Sequence, residues 1–395
     1  MNILVANLGS TSFKYRLFRM GGPEGEVMLG KGGYERVSDY GPCIDDCLAS
    51  LVKEGHLRSP DDLDAVGFKT VLGKNLSGCV EADDRVLDAL EGMRDVAPAH
   101  NPAYAAGIRR FRDKLPKVRL VALFETAFFQ WAPETYAHYA VPRDWYDAGI
   151  RRNGFHGASH KFIAERSAEL LGRADVAAAT VKLYQQGPST LGGKPLRVIS
   201  CHLGGSSSIV PIRNGVALGS SFGMSPQSGL PQNNRVGDLD SMAIPFAVKN
   251  LGIDLAAAER QLTTASGLLG LSGVGNDLRD IREAAEGGNA RAQLALDVLV
   301  DQIRHWIGSG FIALNGLDAL VFTAGIGENN PTLRAAVCAA TEALGLHLDP
   351  AKNEACRGTE ADIATADSPA RILVIPANEE CVIAREVQRH LAAHP

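Results

Sequence analysis

The run Ile3-Leu4-Val5-Ala6-Asn7-Leu8-Gly9-Ser10-Thr11-Ser12-Phe13-Lys14-Tyr15-Arg16-Leu17 decides how the rest of the chain is read. Ile3 to Ala6 is a short apolar run, as a buried strand requires. Phe13, Tyr15 and Leu17 alternate with Lys14 and Arg16, which is the period of a second strand. Asn7 to Ser12, between them, is a turn of small residues. Such a turn offers backbone N–H groups and hydroxyls to phosphate oxygens with little steric obstruction.

The same unit returns in the second half. Leu196 to Cys201 is apolar, His202 to Ser208 is rich in Gly and Ser, and Ile209, Val210 and Ile212 follow. One Gly/Ser turn alone is more often a plain β-hairpin. Two of them, one opening each half, point to a duplicated architecture in which two turns grip the phosphates of one nucleotide across a cleft. Strands expected at Ala65–Val71, Arg119–Phe124, Leu320–Thr323 and Ile372–Ile375 alternate with helices at Asp83–Arg94, Pro102–Lys114, Ala290–Leu314 and Glu379–Leu391. That order is α/β. Pro142 and Gly149 punctuate a boundary between residues 1–147, completed by the closing helix 379–395, and residues 148–378.

With 395 residues, two domains are the default. The net charge of −5 is spread over both signs, with no basic block to hold nucleic acid or a membrane surface. Seven cysteines without paired spacing suit free thiols in a reducing compartment. No basic, apolar leader and no apolar run of spanning length is present, so a cytoplasmic protein is expected. Gly25 to Lys31 nearly spells a P-loop, but Gly32 replaces the hydroxyl residue and no helix pattern follows. It reads as a hairpin turn. Gly325-Ile326-Gly327 lacks the third glycine of a dinucleotide fingerprint and reads as a turn after a buried strand.

Longer motifs carry a resemblance. Asn7 to Tyr15 is similar to the amino-terminal signature of acetate kinases, and so is Arg151-Arg152-Asn153-Gly154-Phe155-His156-Gly157-Ala158-Ser159-His160-Lys161. Ser266 to Arg279, Val321 to Asn329 and Val374 to Ala384 match that family in order and spacing, so the resemblance covers essentially the whole chain. It implies the fold of sugar kinases, heat-shock chaperones and actin: two duplicated α/β domains around a cleft. The implied activity is reversible, Mg²⁺-dependent transfer of the ATP γ-phosphoryl to acetate, giving acetyl phosphate and ADP, by a homodimer.

The same resemblance implies residue roles. Asn7 and Glu379 sit near Mg²⁺, a hard cation that takes few protein ligands. Lys14 approaches the ATP phosphates. His202, Leu203, Gly204, Gly205 and Ser206 cradle the β- and γ-phosphates. Asp277, Leu278 and Arg279 hold the adenosine, with Gly325, Ile326, Gly327, Glu328 and Asn329 closing over it. His156 and Arg235 stabilise the phosphoryl in flight, which needs positioning and charge more than covalent help. Plain readings stand beside these: His160 as structural, Arg279 as a surface arginine, Glu379 as a carboxylate at a helix N-terminus.

The chain also departs from the family. Lys69 stands in place of a carboxylate-binding arginine, keeping the charge but losing the bidentate fork. Glu125 replaces a catalytic aspartate, and Gly205 and Ser206 replace Asn and Gly. Val71, Phe155 and Pro226 match apolar pocket positions, but Ala99 stands where the family has leucine. That change makes room for a larger acid. Two alternatives follow: a kinase for propionate or a small hydroxy acid, and a nucleotide-binding regulatory homologue with weakened catalysis.

Overall fold

The computed structural model describes residues 1–22, 25–98 and 100–395. Ala99, the expected widening of the acyl pocket, therefore lies outside the described residues.

Two six-stranded mixed sheets organise the described residues. The first holds β1 (Asn2–Gly9), β2 (Ser12–Gly22), β3 (Gly25–Glu35), β4 (Ala65–Thr70), β5 (Cys79–Glu81) and β6 (Arg119–Phe124), in the order β3-β2-β1-β4-β6-β5. The second holds β7 (Arg197–Leu203), β8 (Ser207–Arg213), β9 (Val216–Ala217), β10 (Ala319–Thr323), β11 (Ala361–Asp362) and β12 (Arg371–Val374), in the order β9-β8-β7-β10-β12-β11. β1 and β2 are antiparallel, as are β7 and β8. β1, β4 and β6 run parallel, as do β7, β10 and β12. β5 and β11 each close a sheet antiparallel. Every strand of one sheet thus has a counterpart in the other, and the duplication read from two small units extends to both sheets.

Two expectations are corrected. Gly25 to Lys31 is not a turn but the first part of β3, with Lys31 opposite Arg16 and Gly30 opposite Leu17. Two glycines of β3 have a packing reason: a Cβ on Gly30 would meet the His56 ring at 3.0 Å and Leu51 at 3.1 Å, and one on Gly32 would meet the Tyr15 ring at 2.6 Å. The segment after β10 is not a turn either, but a short helix, Ala324–Asn329. Its last carbonyls would be orphaned at a helix end. The fully buried Arg334 satisfies them, donating to the Gly327 and Glu328 oxygens at 2.8 and 2.9 Å.

Strand alternation sorts the core. In β1, Leu4, Ala6 and Leu8 face a core shared with the helices Tyr40–Lys53, Asp84–Gly92 and Asn101–Lys114, while Ile3 and Val5 face the closing helix Glu379–Ala393. In β10, Leu320 and Phe322 pack with the long helix Ala290–Leu314 on one face. Ala319 and Val321 pack on the other face with Ile163 and Ala164 of the helix Gly157–Leu170. The helices Gly157–Leu170 and Glu379–Ala393 meet between the sheets. There Lys161, fully buried, bonds Glu165 at 2.6 Å and Glu386 at 2.7 Å, and Arg389 pairs with both carboxylates. No helix of the described residues is long and apolar enough to cross a membrane.

Candidate active site

The ends of β4 and β6 and the start of the closing helix bring three charges together. Lys69 Nζ lies 2.5 Å from Glu379 Oε2 and 3.1 Å from Glu125 Oε1. One cation therefore serves two carboxylates. Burial acts to raise Glu379, but Lys69 and His202 outweigh it and hold its carboxyl at about 2. Burial raises Glu125 as well. There Lys69 opposes less successfully, the Glu379 charge adds to the rise, and the net shift is upward. Lys69 itself, although burial would lower it, is held well above its usual range by the two carboxylates. Asn7 joins this cluster through Tyr104, whose hydroxyl donates to Asn7 Oδ1 at 3.0 Å.

Glu125 also builds the local backbone. Its Oε2 accepts the His156 N–H at 2.6 Å, and its carbonyl accepts the Gly157 N–H at 2.9 Å. A Cβ on Gly157 would lie 2.3 Å from that carbonyl, so only glycine fits. His156, just before the helix Gly157–Leu170, takes φ 60 and ψ 31. A non-glycine residue in the left-handed region is uncommon and costs energy, as side chains held at reacting centres often do. Its ring stacks on His202 with centroids 4.0 Å apart, and its Nδ1 lies 2.8 Å from Ser208 Oγ. His156 Nε2 has no hydrogen-bond partner among the described residues. Burial, and then the charges of His202, Lys69, His160 and Arg235, push His156 well below its ordinary value. Burial also brings His202 down to about 4, and its Nδ1 meets Ser159 Oγ at 2.8 Å.

The turn Gly204–Ser206 between β7 and β8 carries Arg235 beside it. Arg235 Nη1 reaches Ser206 Oγ at 3.4 Å and the Pro226 carbonyl and Gln232 Oε1 at 3.3 Å each. The Asn233 N–H donates to the Gly205 carbonyl. Val71 and Phe155 belong to a small apolar cluster with Leu72, Met93, Ala97 and Phe222, and Phe222 also touches the His156 ring edge-on.

Other expected residues are placed differently. Lys14 sits opposite Asn7 in the β1–β2 register, but its ammonium is exposed and pairs with Glu35 at 3.4 Å. Asp277 caps the helix Leu278–Glu286 and is tied to Arg279 at 2.6 Å on an exposed rim. Leu203 and Leu278 are core side chains, so only their backbone is free for a ligand. Above Gly325 lies open space, whereas Glu328 Oε1 accepts the Ala377 N–H and anchors the approach to the closing helix. Sequence reasoning missed Tyr104, Ser159, Ser208 and Phe222. Two of them carried a signal: Ser208 as the last residue of the second Gly/Ser turn, and Ser159 as a member of the Arg151–Lys161 motif.

Comparisons with known proteins give the family. The family model described as the acetokinase family matches residues 33–385. The acetate kinase of Geobacillus sp. (strain WCH70) is 38% identical over 411 residues, covering 98% of both chains. The crystal structure of Porphyromonas gingivalis acetate kinase superposes with a TM-score of 0.87 at 34% identity, covering 99% of both chains. A propionate kinase from Francisella tularensis superposes with a TM-score of 0.82 at 30% identity, covering 98% of both.

Proposed function

The chain belongs to the acetokinase family, and we propose that its cleft transfers the γ-phosphoryl of ATP to acetate, reversibly, with Mg²⁺. The observation that carries this reading is the convergence of Lys69, Glu125 and Glu379 with His156, one wall of the cleft beside the Gly204–Ser206 turn and Arg235. The chain is a phosphotransferase with a carboxyl group as acceptor.

Glu379, held ionised, and the amide oxygen of Asn7 are hard oxygen donors of the kind Mg²⁺ accepts, and an ion that uses few protein ligands would need no more from the chain. The residues fit, and Asn7 and Glu379 would hold the ion. Bound there, Mg²⁺ supplies positive charge to the nucleotide phosphates.

The chain's own groups account for the remaining work. A carboxylate oxygen is already a nucleophile at neutral pH, so no general base is needed. It forms a bond to the γ-phosphorus as the bond to the ADP oxygen breaks, leaving an acyl phosphate. Lys69 neutralises the acid's charge, and Glu125 keeps Lys69 and the His156 backbone in place. Val71, Phe155 and Pro226 wall the methyl group. His156 Nε2 and the Arg235 guanidinium donate to the equatorial oxygens, where charge stabilisation outweighs covalent help. The Gly204–Ser206 turn, with the backbone of His202 and Leu203, holds the β- and γ-phosphates, and Lys14 approaches them from the rim. Asp277 to Arg279 and Gly325 to Asn329 bracket the adenosine.

The division into residues 1–147 with 379–395, and 148–378, belongs to this reading, supported by the packing of the closing helix on the first sheet. A homodimer does too. Met242 and Phe246, on and beside the helix Ala243–Asn250, are 68% and 67% exposed, and Leu251 and Leu255 extend the same apolar surface. A cytoplasmic location completes it.

Trapping the product with hydroxylamine tests the activity. ATP, Mg²⁺ and acetate should give acetyl hydroxamate. Propionate and lactate beside acetate measure how far a larger acid is accepted, a reading favoured only by the likeness to a propionate kinase. Hydroxamate from no short acid would overturn the assignment.

A further inference from the structure

Four buried or half-buried side chains lie in one line behind the cleft. Ser200 Oγ is 2.8 Å from His160 Nδ1, His160 Nε2 is 2.8 Å from Ser208 Oγ, and the same Ser208 Oγ is 2.8 Å from His156 Nδ1. Ser200, His160 and Ser208 are fully buried. A hydroxyl carries one proton, and a neutral imidazole carries one N–H. Burial keeps both rings neutral, pushing His156 and His160 well below their ordinary values.

The line then has one direction. Among the described residues the Ser200 hydroxyl has no acceptor other than His160 Nδ1, so that nitrogen must be bare. His160 must therefore carry its proton on Nε2 and donate it to Ser208. The Ser208 proton in turn has no acceptor left but His156 Nδ1, which must be bare as well. The single proton of His156 falls on Nε2, the nitrogen without a protein partner. Every other arrangement strands at least one buried hydroxyl proton, which costs more than leaving an oxygen lone pair idle.

We infer that Ser200, His160 and Ser208 are positioning residues that hold His156 in its Nε2–H tautomer, so that its free nitrogen presents a donor to the transferred phosphoryl oxygens. The purpose assigned to the tautomer rests on the kinase reading above. In the opposite tautomer a bare lone pair would face an anion, and the ring would repel what it has to stabilise.

Long-range proton–nitrogen NMR on the full chain, with nitrogen-labelled histidine and no nucleotide or acid, reads each tautomer directly. The His156 signals are assigned by their loss in His156→Asn. The unmodified protein should show His156 with Nε2 protonated and Nδ1 bare. Ser208→Ala should shift it toward the Nδ1–H form, while Ser208→Thr, which keeps the hydroxyl, should not. In kinetics, Ser208→Ala should lower kcat by about tenfold to a hundredfold, the scale of one misplaced donor, with KM for ATP changed by less than about threefold. A His156 protonated on Nδ1 in the unmodified protein overturns the inference, whether or not any variant folds. So does a Ser208→Ala protein whose tautomer and kcat are unchanged. A protein with the expected tautomer that makes no acyl phosphate would contradict the kinase reading and leave the hydrogen-bond line standing.

Discussion

Lys69 and Glu379 form an ion pair of 2.5 Å across 310 residues of sequence, joining the end of β4 to the first turn of the closing helix. Because Glu125 also leans on Lys69, at 3.1 Å, this ammonium offsets two carboxylates at once. Lys69→Met should therefore destabilise the protein by about 3–5 kcal/mol, the scale for a buried charge left without its partner. Adding Glu125→Gln should restore part of that loss. Urea unfolding of the single and double variants checks the coupling; strictly additive losses would mean that the two side chains do not interact.

Arg235→Ala should lower kcat by about a hundredfold to a thousandfold, as loss of one preorganised donor to a developing charge does. ATP affinity should change far less, because the arginine sits beside the turn and not under it. Steady-state kinetics with separate titrations of ATP and acetate decide this. Full kcat in Arg235→Ala would remove that residue from the reacting centre.

Lys161→Met tests a different buried charge. Lys161 pairs with Glu165 and Glu386 between two helices and touches no expected ligand position. The variant should lose about 3 kcal/mol of stability, with Arg389 left as the cation for both carboxylates. Activity of the folded fraction should stay within about twofold. A stable variant with a collapsed kcat would mean that this cluster serves catalysis.

Acid should destabilise the fold through its histidines. His156 and His160 are both pushed well below the ordinary value near 6.5. The unfolded chain therefore takes up their protons first as pH falls. Stability is fully present above about pH 6.5 and falls below it, by about 1.4 kcal/mol per pH unit for each proton withheld. Glu125, raised by burial, works against this with at most one proton. Urea midpoints measured from about pH 7.5 down to about pH 5.5 should fall, and less so in His160→Gln. A flat profile would contradict the burial of neutral imidazoles.

The strands and long helices were legible because period and length decide them: β6 and the helix Ala290–Leu314 fall on the bounds read from the chain. β3 was not, because Gly32 makes room for Tyr15 and Gly30 for His56 and Leu51, reasons visible only once the sheet and its covering helix are assembled. The helix Ala324–Asn329 was hidden for a similar cause: Arg334, from the next helix, caps it. Lys69, Glu125 and Glu379 were each legible as single residues, but their common ion pair depends on bringing three distant segments together. Of the Ser200-His160-Ser208-His156 line only the four-residue spacing of the two histidines was legible, since the two serines that join them lie on neighbouring strands.

Phosphorus NMR of the protein with ATP, Mg²⁺ and acetate follows the γ-phosphoryl itself. The γ resonance should disappear as an acyl phosphate resonance and ADP grow in equal amounts, and adding ADP to acetyl phosphate should run the change backward. Inorganic phosphate growing in place of acyl phosphate, or an unchanged ATP spectrum under conditions where ATP protects the protein against unfolding, would contradict transfer to acetate.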